Sequence, residues 1–160
     1  MKKLIGTIAL SVTATQVAMA QPAGESAQSH CTYKEEITFN CAIGKKHVSV
    51  CNSGGNLQYH FGKIGAAELV FPKAPNNNQS VARGSIMLSG GGGDYLRFSN
   101  GEYDYIAYNA EGRGGPSEGV VVEKGGKQVA ALECSTYATN NLSTNLPDGI
   151  REDAKEFFIP

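Results

Sequence analysis

In LQYHF, residues Leu57 to Phe61, apolar and polar positions alternate, so Leu57, Tyr59 and Phe61 share one face of an extended segment while Gln58 and His60 share the other. Runs of this kind, rich in Val, Ile, Phe and Tyr, recur between clusters of Gly, Asn and Pro. They predict nine strands: Glu36–Ala42, Lys46–Asn52, Asn56–Phe61, Ala67–Phe71, Gly84–Ser89, Asp94–Ser99, Glu102–Asn109, Gly119–Lys124 and Lys127–Cys134. One buried and one solvated face is the signature of an antiparallel sheet. FPKAPNNNQS (Phe71 to Ser80) and AEGRGGPSEG (Ala110 to Gly119) read as loops. In PDGIREDAKEFF, Asp148 is placed as an N-cap and Ile150, Ala154, Phe157 and Phe158 recur at helical spacing, which predicts a short C-terminal helix. The fold class is therefore all-β, a single antiparallel β-barrel or two-sheet sandwich of about eight to nine short strands with a short C-terminal helix.

Two hairpins carry their own register. Asn100-Gly101 suits a type I′ turn that sets Phe98 opposite Tyr103 and Leu96 opposite Tyr105 on one face, with Arg97 opposite Asp104 on the other. Gly125-Gly126 turns VVVEKGGKQVAAL so that Val122 meets Val129 and Val121 meets Ala130. LSGGGGDYLRF, Leu88 to Phe98, sets four glycines between two strands. They serve either as a tight corner between sheets or at a barrel rim, or as a mobile recognition loop between Ser89 and Tyr95.

The N-terminus changes the compartment. Lys2 and Lys3 precede an apolar stretch from Leu4 to Val12 and the small residues of Ala18-Met19-Ala20, the order of a secretory signal peptide cleaved after Ala20. The stretch is short of the roughly 20 residues that span a bilayer. Residues 1–20 are thus the expected signal peptide, 21–30 a flexible leader and 31–160 a single β domain, periplasmic or secreted and not membrane-embedded. Cleavage removes both lysines and no acid, so the formal charge moves from −1 to −3. That balance speaks against nucleic acid or an anionic membrane and leaves room for a cationic protein partner.

Cys31, Cys41, Cys51 and Cys134 are even in number and destined for an oxidising compartment, which implies two disulfides. If Gly44-Lys45 is the turn of FNCAIGKKHVSVC, Cys41 lies opposite Val48 and Cys51 opposite Thr38. Cys41 and Cys51 are then beyond the roughly 7 Å between Cα atoms that a bridge allows. Of the two remaining pairings, Cys31–Cys41 with Cys51–Cys134 is preferred, because the second bridge staples an early strand to a late one.

Reactive chemistry is sparse. His47 and His60, on adjacent strands, could meet on a solvent face with Glu68 or Asp104 to complete a metal site, but nothing determines a third ligand, and no metal site is assigned. There is no G-x-S-x-G, and Gly90–Gly93 is followed by Asp94 and Tyr95 where a phosphate loop has lysine and a hydroxyl. No enzyme activity and no cofactor are expected. Seven tyrosines and no tryptophan are more informative: Tyr103 and Tyr105 face the core, while Tyr95 and Tyr108 fall on other surfaces near the glycines, a cheap protein-binding patch.

FNCAIGKKHVSVC followed by SGGGGDYLRFSNGEYDYIAY resembles the small exported bacterial inhibitors of C-type lysozyme. The resemblance implies a disulfide-bearing antiparallel barrel that presents serine, glycine and tyrosine to the lysozyme cleft. Ser89, Gly90 and Tyr95 would take those roles, with Asp94 beside them, although Gly91 to Asp94 intervene where the family has a shorter spacing. The hairpin is also similar to that of small uncharacterised exported β-proteins of Gram-negative bacteria. The expected function is a non-catalytic exported protein-binding module, an inhibitor or immunity-type protein acting on a lysozyme or other cell-wall hydrolase. The alternatives are a structural or stress-related envelope protein without an inhibitory loop and, further off, a His-dependent enzyme or metal-binding protein.

Overall fold

The computed structural model describes residues 28–160; the expected signal peptide, residues 1–20, and residues 21–27 of the expected leader lie outside the described residues. The chain forms β1 (Glu36–Ile43), β2 (Lys46–Ser53), β3 (Asn56–Lys63), β4 (Ala66–Phe71), β5 (Val81–Leu88), β6 (Gly91–Asn100), β7 (Tyr103–Gly112), β8 (Gly115–Lys124), β9 (Lys127–Glu133), β10 (Thr139–Asn140) and β11 (Arg151–Glu152). They build two open sheets, β10-β1-β2-β3-β4 and β11-β5-β6-β7-β8-β9, antiparallel except where β11 runs parallel to β5. The architecture is therefore a sandwich and not a closed barrel.

Alternation decides what lies between the sheets. Phe39, Val48, Val50, Leu57 and Tyr59 of the first sheet pack against Val81, Leu96, Phe98, Ala107 and Val120 of the second, with Leu142 and Ile150 filling the margin. The link from β4 to β5 is pinned by Asn78, whose side chain accepts from the Leu57 amide at 2.8 Å and donates to the Gly55 carbonyl at 2.8 Å. Gln28 and His30, at the end of the leader, are tied down as well: the Gln28 carbonyl accepts from Asn40, and the His30 amide donates to Ser49 Oγ at 3.0 Å.

The C-terminal helix expected over Pro147 to Phe158 does not form; among the described residues there is no helix at all. Ile150 belongs to the core between the sheets, whereas Phe157 packs on the outer face of the second sheet with Ile86, Tyr95, Ile106, Tyr108, Ala110 and Val121. The segment reaches both sides by turning at Gly149 (φ 81°), pairing briefly as β11 and wrapping round the β5 edge as an extended strap. One short helix could not serve both sides of a sheet.

The preferred disulfide pairing is also corrected. Cys31 bridges Cys51 and Cys41 bridges Cys134, with Cα separations of 5.4 and 5.6 Å. Cys41 does lie opposite Val48, and Cys41 and Cys51 do not pair, but a bulge between Ile37 and Phe39 sets Cys51 opposite Ile37. Cys41 is buried on the core face beside Cys134, which leaves Cys51 to the incoming Cys31.

The four glycines are neither a corner nor a free loop. Only Ser89 and Gly90 (φ 81°) make the turn, while Gly91, Gly92 and Gly93 continue β6 opposite Leu88, Met87 and Ile86 on one side and, for Gly92 and Gly93, Glu111 and Ala110 on the other. A Cβ at Gly93 would meet the Asn109 carbonyl, so the absent side chain is what lets these strands approach. The stretch from Ala110 to Gly119, expected as a loop, is likewise mostly strand, with Arg113 and Gly114 as its turn.

Candidate functional site

The second sheet extends beyond the first. Towards the β5–β6 turn, inward positions change from apolar to polar and form two rows across the strands by register. Ser85, Asp94, Asn109 and Glu118 make one row, and Met87, Gly92, Glu111 and Pro116 the next. These positions are half-buried or exposed because no strand of the first sheet covers them. The result is a ledge with three carboxylates. Ser85 donates to Asp94 at 3.1 Å, Asn109 donates to Glu118 at 2.6 Å, and Glu118 also accepts from the Ala138 amide, which orders its back wall. Met87, 93% exposed, stands at one end, and Tyr137, 84% exposed, at the other beside Pro116 and Glu118. Arg113 lies over Gly90 at the nearby tip.

The opposite face of the same sheet is sealed by the strap. Arg97, 1% exposed, bonds through Nε to Asp153 and through Nη1 to Glu123 at 2.6 Å and Asp104 at 3.3 Å. Lys155 reaches Asp104 at 2.6 Å, so strap and sheet exchange one acid and one base. Burial alone would raise the Asp104 pKa; hydrogen bonds from Lys155 and Ser99 and the charges of Lys155 and Arg97 outweigh it and hold the carboxyl below its ordinary value. Tyr95 lies flat over Gly84, where a Cβ would meet its ring, and its hydroxyl donates to Asp153 at 3.1 Å.

The site residues read from the sequence are consequently dispersed. Ser89 and Gly90 sit at the hairpin tip, Asp94 faces the ledge, and Tyr95 is on the other side of the sheet, 4% exposed beneath the strap. Tyr108 is buried there too, whereas Tyr103, expected in the core, is exposed near the far turn. The expected Ser–Gly–Tyr constellation is therefore not brought together on one surface.

The histidines gather on the outer face of the first sheet. His47 lies opposite Gly62 and His60 opposite Ser49, which makes them diagonal neighbours, and His30 stacks on His60 with ring centroids 5.8 Å apart. Burial pushes the His60 pKa down, the neighbouring His30 adds to this, and Glu35 partly opposes it. Glu68 is engaged by Lys46 at 2.7 Å, and Asp104 belongs to the other sheet, so neither completes a ligand set. Among the described residues no group of His, Cys, Asp and Glu is arranged to hold a metal ion.

No protein-family model, curated protein or solved structure matches the chain.

Met87, Glu111, Glu118 and Tyr137 escape sequence reasoning for one reason. Alternation assigns Arg83, Ser85 and Met87 to one face of β5, but which end of a face stays uncovered depends on how far the partner sheet extends. The polar inward positions Ser85, Asp94, Asn109 and Glu118 were the available signal, because they break an otherwise apolar face.

Proposed function

We propose that the protein is a non-catalytic, exported binding module whose contact surface is the ledge at the β5–β6 end, and that its partner is a basic cell-wall hydrolase of the lysozyme type. The observation that carries this reading is the pair of uncovered rows that hold Asp94, Glu118 and Glu111 between exposed Met87 and Tyr137. An exposed methionine and an exposed tyrosine supply adaptable apolar contact, and interleaved carboxylates supply complementarity to a cationic surface. The formal charge of −3 after signal removal acts in the same direction. In this reading the partner meets Met87 and the ledge, and Tyr95 acts as a support for the strap.

The test is inhibition of cell-wall lysis by C-type lysozyme in a turbidity assay with the chain from Gln21 onward. Inhibition is expected at micromolar protein, and Met87→Ala combined with Glu111→Lys should weaken it about tenfold, as loss of an interface anchor does. Inhibition unchanged by these substitutions would sink the ledge as the contact surface. No inhibition at any concentration would exclude lysozyme as the partner.

A further inference from the structure

Beyond β11 the β5 edge carries main chain that no strand covers among the described residues. β11 pairs with β5 only through Arg151 opposite Ala82 and Glu152 opposite Arg83, after which the Asp153 amide donates to the Arg83 carbonyl at 2.7 Å and the strap leaves the edge. Arg83 therefore turns its main chain away from β6. The two-residue period gives Ser85 and Met87 the same orientation, so two N–H and two C=O groups face outward with no strand beside them among the described residues. Natural sheets guard such edges with charge, proline or bulges. β4 carries Glu68 and ends before Pro72, and β9 has Lys127, Glu133 and a bulge against β8. Gly84 to Ser89 has none of these.

Beside this edge the strap opens a cavity of about 570 Å³ whose apolar walls are Ile86, Met87 and Leu88 on one side and Phe157, Phe158 and Ile159 on the other. Three of its four charged residues are already paired: Glu152 with Arg83, Asp153 with Arg97 and Lys155 with Asp104. Glu156 makes no ion pair among the described residues, and Asp94, bonded by Ser85, lies behind the same edge. The surplus charge is negative.

We propose that the Gly84–Leu88 edge is a strand-addition site for an extended, cationic segment of another protein. Its main chain pairs with Ser85 and Met87, one apolar side chain enters the cavity between Ile86 and Phe157–Ile159, and a flanking lysine or arginine meets Glu156. Main-chain pairing supplies affinity in such sites, and the pocket beside the edge supplies selectivity. A second copy of this chain is the poorer occupant, because a two-fold axis at the edge would set Glu156 and Asp94 of both copies together. The inference goes beyond the hydrolase reading, since it concerns a main-chain edge and a class of peptide and does not require a folded enzyme.

The probe is a fluorescent octapeptide of alternating valine and threonine with lysine at both ends, titrated into the chain from Gln21 onward and read by anisotropy. Saturable binding is expected. It should weaken about tenfold when glutamate replaces the terminal lysines, and when alternate peptide amides on one edge of the probe are N-methylated, but not when the other edge is methylated. Met87→Pro, which deletes an outward amide and leaves the β6 pairing intact, should lose binding to the same extent with Tm unchanged. Since the methylated probes leave the protein untouched, they decide the matter even if that variant fails to fold. Equal binding of both methylated probes, or no saturation at millimolar peptide, overturns the proposal. So does a dimer in sedimentation whose Ser85 and Met87 amides are already protected from exchange, which would assign the edge to a second copy. Lysozyme inhibition without peptide binding, or the reverse, separates this inference from the preceding one.

Discussion

Replacing Arg97 by methionine keeps most of the stem packing and removes the charge at the centre of the strap contact. Arg97 is 1% exposed, and its neighbours Asp104, Glu123 and Asp153 have side-chain exposures of 7, 15 and 5%. Asp104 retains Lys155 and Ser99, each at 2.6 Å, but Glu123 and Asp153 are left buried without a counter-charge. Breaking one partner out of a buried ion pair costs about 3–5 kcal/mol. For a domain of this size that corresponds to a fall in Tm of roughly 10 °C or more. Asp153→Asn is milder, about 2 kcal/mol, because Arg97 keeps Glu123 and Asp104. Urea unfolding of both single variants and the double variant measures the coupling, expected at about 1–3 kcal/mol for residues in one network. Hydrogen exchange should show the Asp153 amide, which donates to the Arg83 carbonyl, losing protection first. A loss under about 1 kcal/mol for Arg97→Met, or additivity within about 0.5 kcal/mol, would refute the claim that this network holds the strap. The Asp104 carboxyl, held below its ordinary value, adds a pH signature: its contribution is complete above the usual carboxylate range and lost as pH falls below it.

Gly93→Ala should destabilise by about 1–3 kcal/mol, since its Cβ meets the Asn109 carbonyl and Ala110, and denaturant unfolding measures it. Removing the Cys41–Cys134 bridge, which spans 93 residues, should cost about 1 kcal/mol more than removing Cys31–Cys51, which spans 20; thermal unfolding of the two double-serine variants makes the comparison. Burial, and then Asp153, pushes the Tyr95 pKa up to about 12, so its contribution is complete below pH 10 and is lost as pH rises from there towards 12. Tyr95→Phe should remove about one proton from the alkaline pH dependence of stability, the rest coming from other buried phenols such as Tyr59, whose pKa burial also raises.

Much of the sandwich was legible because alternation marks one buried face. All nine expected strands occur, and Gly44-Lys45 and Gly125-Gly126 form the turns assigned to them, but a bulge between Val122 and Glu123 sets Val122 opposite Ala130 and Val121 opposite Ala131 in place of the expected Val129 and Ala130. The β6–β7 turn sits one residue later, at Gly101-Glu102, which sets Phe98 opposite Tyr105 yet leaves every side chain on its expected face. Glycine carries no hydropathy, so Gly91 to Gly93 could not announce that β6 runs through them. The strap deceived for a deeper reason: helical spacing of Ile150, Ala154 and Phe157 coincided with a path round a sheet edge, where successive apolar residues serve different cores. The Arg97–Asp104 pair was visible as a cross-strand charge pair. Its burial was not, because covering that face depends on ten residues at the other end of the chain. The ledge was hidden by the same kind of non-local fact, the differing reach of two sheets.

Docking of a basic partner on the ledge is tested most directly by calorimetric titration of C-type lysozyme into the chain from Gln21 onward at low salt. The expected result is a single saturable binding heat that weakens as salt rises and falls about tenfold in affinity for Met87→Ala with Glu111→Lys. An absent heat, or an affinity indifferent to both salt and those substitutions, would contradict it.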